Sequence, residues 1–339
     1  MVTAALLLFG LILAGWWRSR TVPSVFPAAP PQNGYVDLLN AAQNLRGSVP
    51  PNAVTDADTA GLESFLETNR DVLQLIRRGL ERPCVVTVQL NTNYVANHMA
   101  ELKSLKDLAQ LLALEAKVLV EQGKAEEAAN ASYDLIRFGQ AIAQGGLTTD
   151  VLVGISCEAL GRNALYALRS KLTAEQCREL TRALETIDRN REPLDHVKSR
   201  EIAFARASNP VSARFTMLVA KPLFDSMLKE AMDKAQETVL RAQAQMRLLM
   251  LALAEQAFFL EHGSHTLDLK GLAPQYLSVL PRDPFSESGF IFRSASNTVM
   301  IYSVGPNRKD DGGAPLQKTR AAAGLQGDLF ADSKPQVSK

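Results

Sequence analysis

For roughly ninety residues from Leu102 onward, apolar side chains return every three or four positions, and the pattern stops only at short glycine- or threonine-marked breaks. Leu105, Leu108, Leu112, Ala116 and Leu119 form one stripe, which ends at Gln122-Gly123-Lys124. Ala125, Ala128, Ala131, Leu135, Phe138 and Ile142 form the next, closed by Gly145-Gly146. Thr148 or Thr149 opens a third helix, and Thr173-Ala174-Glu175-Gln176 has the spacing of a capping box for a fourth. Breaks this short leave successive helices antiparallel, so the chain is predicted to be mainly α, with a helical bundle at its centre. Upstream, residues 35–48 read as a short amphipathic helix closed by Gly47. Asp58 or Thr59 caps a helix carrying Leu62, Phe65, Leu66, Leu73, Ile76 and Leu80. The β-branched run in Cys84–Val88 predicts an extended connector or a short strand.

Composition narrows the function classes. The chain's 339 residues are about two domains' worth. Lys and Arg number 37 against 36 Asp and Glu, so no basic excess argues for nucleic acid as a partner. Three cysteines, Cys84, Cys157 and Cys177, are too few for a disulfide scaffold. Cys157 and Cys177 fall on adjacent predicted helices, where they either pair in an extracytoplasmic domain or remain buried thiols. Four histidines restrict general-base and metal chemistry. His98 lies among Asn91, Asn93, Tyr94 and Asn97, which reads as a loop-to-helix junction with local side-chain caps. His196 lies in a charged, solvated helix. No set of residues here forms a catalytic constellation, so the chain is expected to be no enzyme, and no small-molecule substrate is identified.

Val2 to Trp17 is uncharged and strongly apolar, and Arg18 and Arg20 follow it. Sixteen helical residues span about 24 Å, slightly less than a ~30 Å hydrocarbon core, and Trp16 and Trp17 suit headgroup depth. The absence of a basic leading region and of an Ala-x-Ala pattern favours an uncleaved membrane anchor over a signal peptide or a buried helix. A Pro-rich tether, TVPSVFPAAPPQNG, then separates the folded part from the bilayer. The stretch LEAKVLVEQGKAEEAANASYDLI resembles a single tetratricopeptide-type helix–turn–helix, but without a repeat at a fixed period.

The carboxy-terminal third changes character. A helix from about Pro222 to Glu261 is amphipathic at first and thickens to LLMLALAEQAFFL, the pattern of a helix leaving one domain to become the spine of another. Alternation in FIFRS and TVMIYSV predicts two short strands with a turn at Ala295-Ser296-Asn297. The elements run in a recognisable order. Phe258-Phe259 and Gly263 close the spine, then come Gly271-Leu272 and Pro274-Gln275-Tyr276-Leu277, then Asp283-Pro284-Phe285 and Gly289. Tyr302-Ser303-Val304-Gly305 and Gly327-Asp328-Leu329-Phe330 complete the set. In this order residues 240–330 resemble the globular domain of type II secretion major pseudopilins. The family's Phe-Thr-x-x-Glu-type signature is absent from the start of either apolar helix, so the module reads as borrowed, without filament assembly.

That resemblance implies an α+β module with a short antiparallel sheet, and a Ca²⁺ ion held in its acidic loop. By motif position the metal ligands are Asp310, Asp311 and Asp328, with carbonyls of Val304–Asn307 as helpers. Hard Ca²⁺ takes six to eight oxygens, and this set supplies oxygen donors. Arg308-Lys309 beside Asp310-Asp311 reads as a self-neutralising turn. Glu261-His262-Gly263-Ser264-His265 lacks zincin spacing and reads as structural. The expected organisation is anchor 1–20, tether 21–34, helical domain 35–208, linker and first half of the long helix 209–239, pseudopilin-like module 240–332 and a disordered tail 333–339. The arginines after the anchor favour a cytoplasmic bulk, whereas the module argues for a periplasmic or extracellular one. The expected function is non-catalytic contact with a protein partner at a membrane. The alternatives are a component of a secretion or pilus-like machine, and an enzyme with a site between the domains.

Overall fold

The computed structural model describes residues 25–49, 59–208, 221–295, 298–318, 325–332 and 336–337. The apolar segment 2–17, Asp58, the Asn209-Pro210 step, Ser296-Asn297 and most of the tail lie outside the described residues. Nine α-helices occur among the described residues. They are α1 (Gly34–Gln43), α2 (Thr59–Thr68), α3 (Arg70–Leu80), α4 (Tyr94–Glu121), α5 (Ala125–Ala141), α6 (Thr148–Leu168), α7 (Ala174–Arg189), α8 (Leu194–Ser208) and α9 (Lys221–His262). A two-stranded antiparallel sheet follows, β1 (Ile291–Ala295) and β2 (Thr298–Tyr302), with Ile291 opposite Tyr302 and Arg293 opposite Met300. Two-residue strands β3 (Gln317–Lys318), β4 (Leu325–Gln326) and β5 (Gln336–Val337) form a second small sheet in the order β4-β3-β5. The chain is therefore mainly helical with a short antiparallel hairpin.

Local chemistry explains most boundaries. The Thr173 hydroxyl accepts from Gln176 N at 3.2 Å and the Gln176 side chain accepts from Thr173 N at 3.0 Å, a complete capping box at the start of α7. Gly123, at φ 75°, turns α4 into α5 to give a helical hairpin. Where α5 crosses α6, a side-chain carbon on Gly139 would strike the backbone of Gly154, and one on Gly154 would strike the Gly139 carbonyl. Glycine at both positions lets the two backbones touch.

One expectation needs correction and one alternative is resolved. The apolar pattern from 59 to 80 reads as one helix, but the structure divides it at Asn69, whose backbone leaves the helix at φ −110°, ψ 18°. Its buried side chain accepts from Arg46 N at 2.8 Å and donates to the carbonyls of Arg46 (3.1 Å) and Phe65 (3.0 Å). Those bonds outweigh the continuation of the ladder. Of the two alternatives for Cys84–Val88, the structure shows the extended connector. Asn33 bonds both the N–H and the carbonyl of Val85, and Val86 N donates to Gln144 O at 2.9 Å, so no ladder partner is needed.

Two hydrophobic cores share α5 and α6 as a common wall. One gathers Leu38, Ile76, Leu105, Leu108 and Phe138 from α1 and α3–α5. The other runs without interruption from Ile136, Leu165 and Leu184 through Leu249 and Leu253 of α9 to Leu277, Phe285, Val304 and Leu329. Helix α9 packs most extensively on α7, then on α6, and also touches β2. Its apolar second half thus serves the helical bundle and the hairpin module at once. Thr148–Lys171 is long and apolar enough to cross a membrane by length and composition, and half of its apolar window is buried inside the protein. Cys157 and Cys177 are free, buried thiols in different cores.

Candidate functional site

The acidic loop is assembled at the end of β2. Strand β2 delivers Tyr302, and Ser303 then pairs antiparallel with Leu329, exchanging 2.9 Å backbone bonds in both directions. Gly305 turns the chain at φ 69°, and the loop returns through Gly312 and Gly313 to lie against Gly327-Asp328. At Gly327, φ is 101°, and a side chain there would strike the Pro315 and Ala314 carbonyls.

All three predicted aspartates meet in this loop. One Asp310 oxygen accepts from the Tyr302 hydroxyl (2.8 Å) and Gly312 N (2.9 Å), and the other from Arg293 (2.8 Å). Asp311 accepts from Asn307 Nδ2 (2.7 Å) and Gly327 N (3.0 Å). Asp328, fully buried, accepts from Gly313 N (2.7 Å) and Asp311 N (3.3 Å). The Gly312 N–H, then the Tyr302 hydroxyl, hold the Asp310 carboxyl below the usual carboxylate range. Burial pushes Asp328 upward, and the charges of Asp310 and Asp311 push it the same way against its amide bonds. The partner of Asp310 is Arg293 on β1, not the neighbouring Arg308 or Lys309, which corrects the self-neutralising turn expected from sequence.

The Asp-Pro motif closes on the same seam. One Asp283 oxygen accepts from Phe285 N (2.9 Å) and from the Ser303 hydroxyl (2.9 Å), so an Asx turn is pinned to the end of β2. The other oxygen is buried without a partner among the described residues, and burial raises the pKa of this carboxyl despite the bonds it accepts. For calcium the donor type is right, since the loop offers three hard carboxylates. Their oxygens, however, are aimed at backbone and side-chain donors, and among the described residues no three metal-ligating side chains are grouped as a site.

A second polar cluster lies in the helical half. Asn91–Tyr94 form a loop-to-helix junction, where Asn91 Oδ1 accepts from Asn93 N at 3.1 Å, and His98 itself sits buried in the second turn of α4. Nε2 lies 2.5 Å from Asp150 of α6 and Nδ1 lies 2.8 Å from Glu101, while the ring stacks on Tyr94 at 4.8 Å. With a carboxylate at each ring nitrogen, the surroundings favour the doubly protonated imidazole, the form that can donate to both. Burial alone would lower its pKa, but Asp150 and then Glu101 outweigh burial and raise it. The hydroxyls of Tyr35 and Tyr94 are buried without hydrogen-bond partners among the described residues. The cluster is an internal ion network linking α4 to the start of α6, where Asp150 also accepts from Leu147 N at 2.6 Å. Sequence spacing carries no signal for a pair 52 residues apart.

The cysteines and the remaining motif residues are accounted for structurally. Burial pushes the Cys157 thiol up to about 12 and that of Cys177 to about 11, which makes both inert at neutral pH. Glu261 binds Arg178 and accepts from the Tyr276 hydroxyl at 2.6 Å, and His196 is exposed. No protein-family model matches the chain, and comparison with curated proteins and with solved structures gave no match.

Proposed function

We propose that this chain is a non-catalytic, membrane-held interaction protein. In this reading residues 2–17 form the anchor, the bulk of the chain is extracytoplasmic, and the helical domain and a pseudopilin-like module present surfaces to a protein partner. The observation that carries the module reading is the meeting of its scattered motif residues. Asp283, Tyr302-Ser303, Asp310, Asp311 and Asp328 lie 45 positions apart at the extremes, yet one network of hydrogen bonds joins them around the end of β2. Calcium belongs to the proposal as the ligand of that loop. Asp310, Asp311 and Asp328 would hold it, and the ion would supply positive charge where carboxylates crowd and where Asp328 is buried.

The test is calorimetry of the full chain during a calcium titration, with Asp311→Ala and Asp328→Ala as controls. Millimolar calcium is expected to raise the melting temperature of the native chain and to leave both variants unchanged. No stabilisation at millimolar calcium sinks the calcium part. Protease accessibility of the carboxy terminus in intact cells tests the topology, and a cytoplasmic terminus overturns it.

A further inference from the structure

A cavity of about 250 Å³ opens where the carboxy-terminal end of α6, the second half of α9 and β2 meet. Two opposite charges face it from different elements. Arg169, just past α6, lies with its guanidinium carbon 3.8 Å from the Tyr166 ring centroid and donates to the Tyr166 carbonyl at 2.5 Å. No carboxylate pairs with it among the described residues. Glu255 of α9, which also lines the cavity, is only 8 % exposed. One of its oxygens is held by His265 Nδ1 at 2.6 Å, and the imidazole is stacked on Phe259 at 4.6 Å. The second Glu255 oxygen and the Gln256 amide have no hydrogen-bond partner among the described residues. The remaining wall is apolar, formed by Leu248 and Ala252 of α9 and by Val299 and Ile301, two residues apart on one face of β2.

An unpaired guanidinium, a fixed carboxylate and an apolar wall in so small a space select their ligand by charge and size. A singly charged ligand would answer only one of the two open groups, the Arg169 guanidinium or the second Glu255 oxygen. A zwitterion satisfies both. The volume lies below the ~300 Å³ at which drug-sized pockets begin, and suits one amino acid. We propose that this cavity binds a free apolar α-amino acid, with its carboxylate on Arg169, its ammonium group on the open oxygen of Glu255, and its side chain against Leu248, Val299 and Ile301. Arg169 offers a fork of N–H donors for the carboxylate, and His265 keeps Glu255 in position. This function is separate from the acidic loop, since none of its residues lines that loop.

Isothermal titration calorimetry of the full chain with L-leucine tests the proposal, with leucinamide and N-acetyl-leucine as analogues lacking one charge each. L-Leucine is expected to bind, and each analogue to bind at least about tenfold more weakly. Arg169→Gln is expected to weaken leucine binding by a similar factor while the thermal melt stays within a few degrees of the native one. If that variant fails to fold, the analogue series on the native chain decides the matter alone. Absence of leucine binding up to ten millimolar, or an analogue binding as tightly as leucine, overturns the proposal.

Discussion

His98 and Asp150 lie 2.5 Å apart across the contact between α4 and α6, and both side chains are shielded from solvent. The folded pKa of His98 lies above its ordinary value of about 6.5, because Asp150 and Glu101 outweigh burial. The folded state therefore binds this proton more tightly than the unfolded chain does. The resulting stability is fully present below about pH 6.5 and is lost as pH rises through the folded pKa. His98→Gln is expected to cost about 3 kcal/mol at pH 6, because it leaves Asp150 buried beside an uncharged partner. It should also flatten the alkaline fall in stability. Urea denaturation across pH 6 to 9 measures both effects, and an unchanged pH slope in His98→Gln would refute the assignment.

Asn69 is expected to behave as a clamp between two segments and not as a helix residue. Asn69→Ala removes all three side-chain bonds to Arg46 and Phe65 at a fully buried position, at an expected cost of about 2–3 kcal/mol. Asn69→Asp keeps the acceptor for Arg46 N but loses both donated bonds, to the Arg46 and Phe65 carbonyls, so it should recover little. Chemical denaturation reads the loss. Faster hydrogen exchange at Arg46 N would place it at the clamp.

Two glycine substitutions are expected to have opposite signs. In a helix, Gly→Ala gains up to about 1 kcal/mol of propensity. At Gly154 the added carbon meets the backbone of Gly139, which cannot move aside as a side chain does, so Gly154→Ala should lose roughly 2 kcal/mol net. Gly61 of α2 has open space around it, and Gly61→Ala should stabilise by about 0.5 kcal/mol or more. Denaturant midpoints of the two variants, measured side by side, settle the signs.

What the sequence made legible was periodic or local. Apolar spacing located α4 through α7 and the long α9, the Thr173 box is satisfied as spaced, and FIFRS and TVMIYSV pair as β1 and β2. Of the three aspartates singled out from the acidic loop, Asp311 and Asp328 are joined through backbone N–H groups, while Asp310 turns to Tyr302 and Arg293. Long-range polar pairing was not legible. Nothing near Arg293 in the chain identifies it as the partner of Asp310, and nothing near His98 points to Asp150. Arg162 is the extreme case, an arginine on α6 that is buried and donates at 3.0 Å to the Ala242 carbonyl and to the Gln245 side chain on α9. Burial holds it down to about 10. Such residues reveal themselves only when another helix covers them.

The uninterrupted core along α9 makes the boundary near residue 240 one of sequence character alone. Cutting the chain there would strip Leu277, Phe285 and Val304 of support that reaches them through α9 from α6 and α7, and would leave the bundle with an open apolar flank. The hairpin module is therefore not a detachable cartridge. The acidic loop and the bundle helices thus lean on one continuous core through α9, so a substitution in that core bears on both.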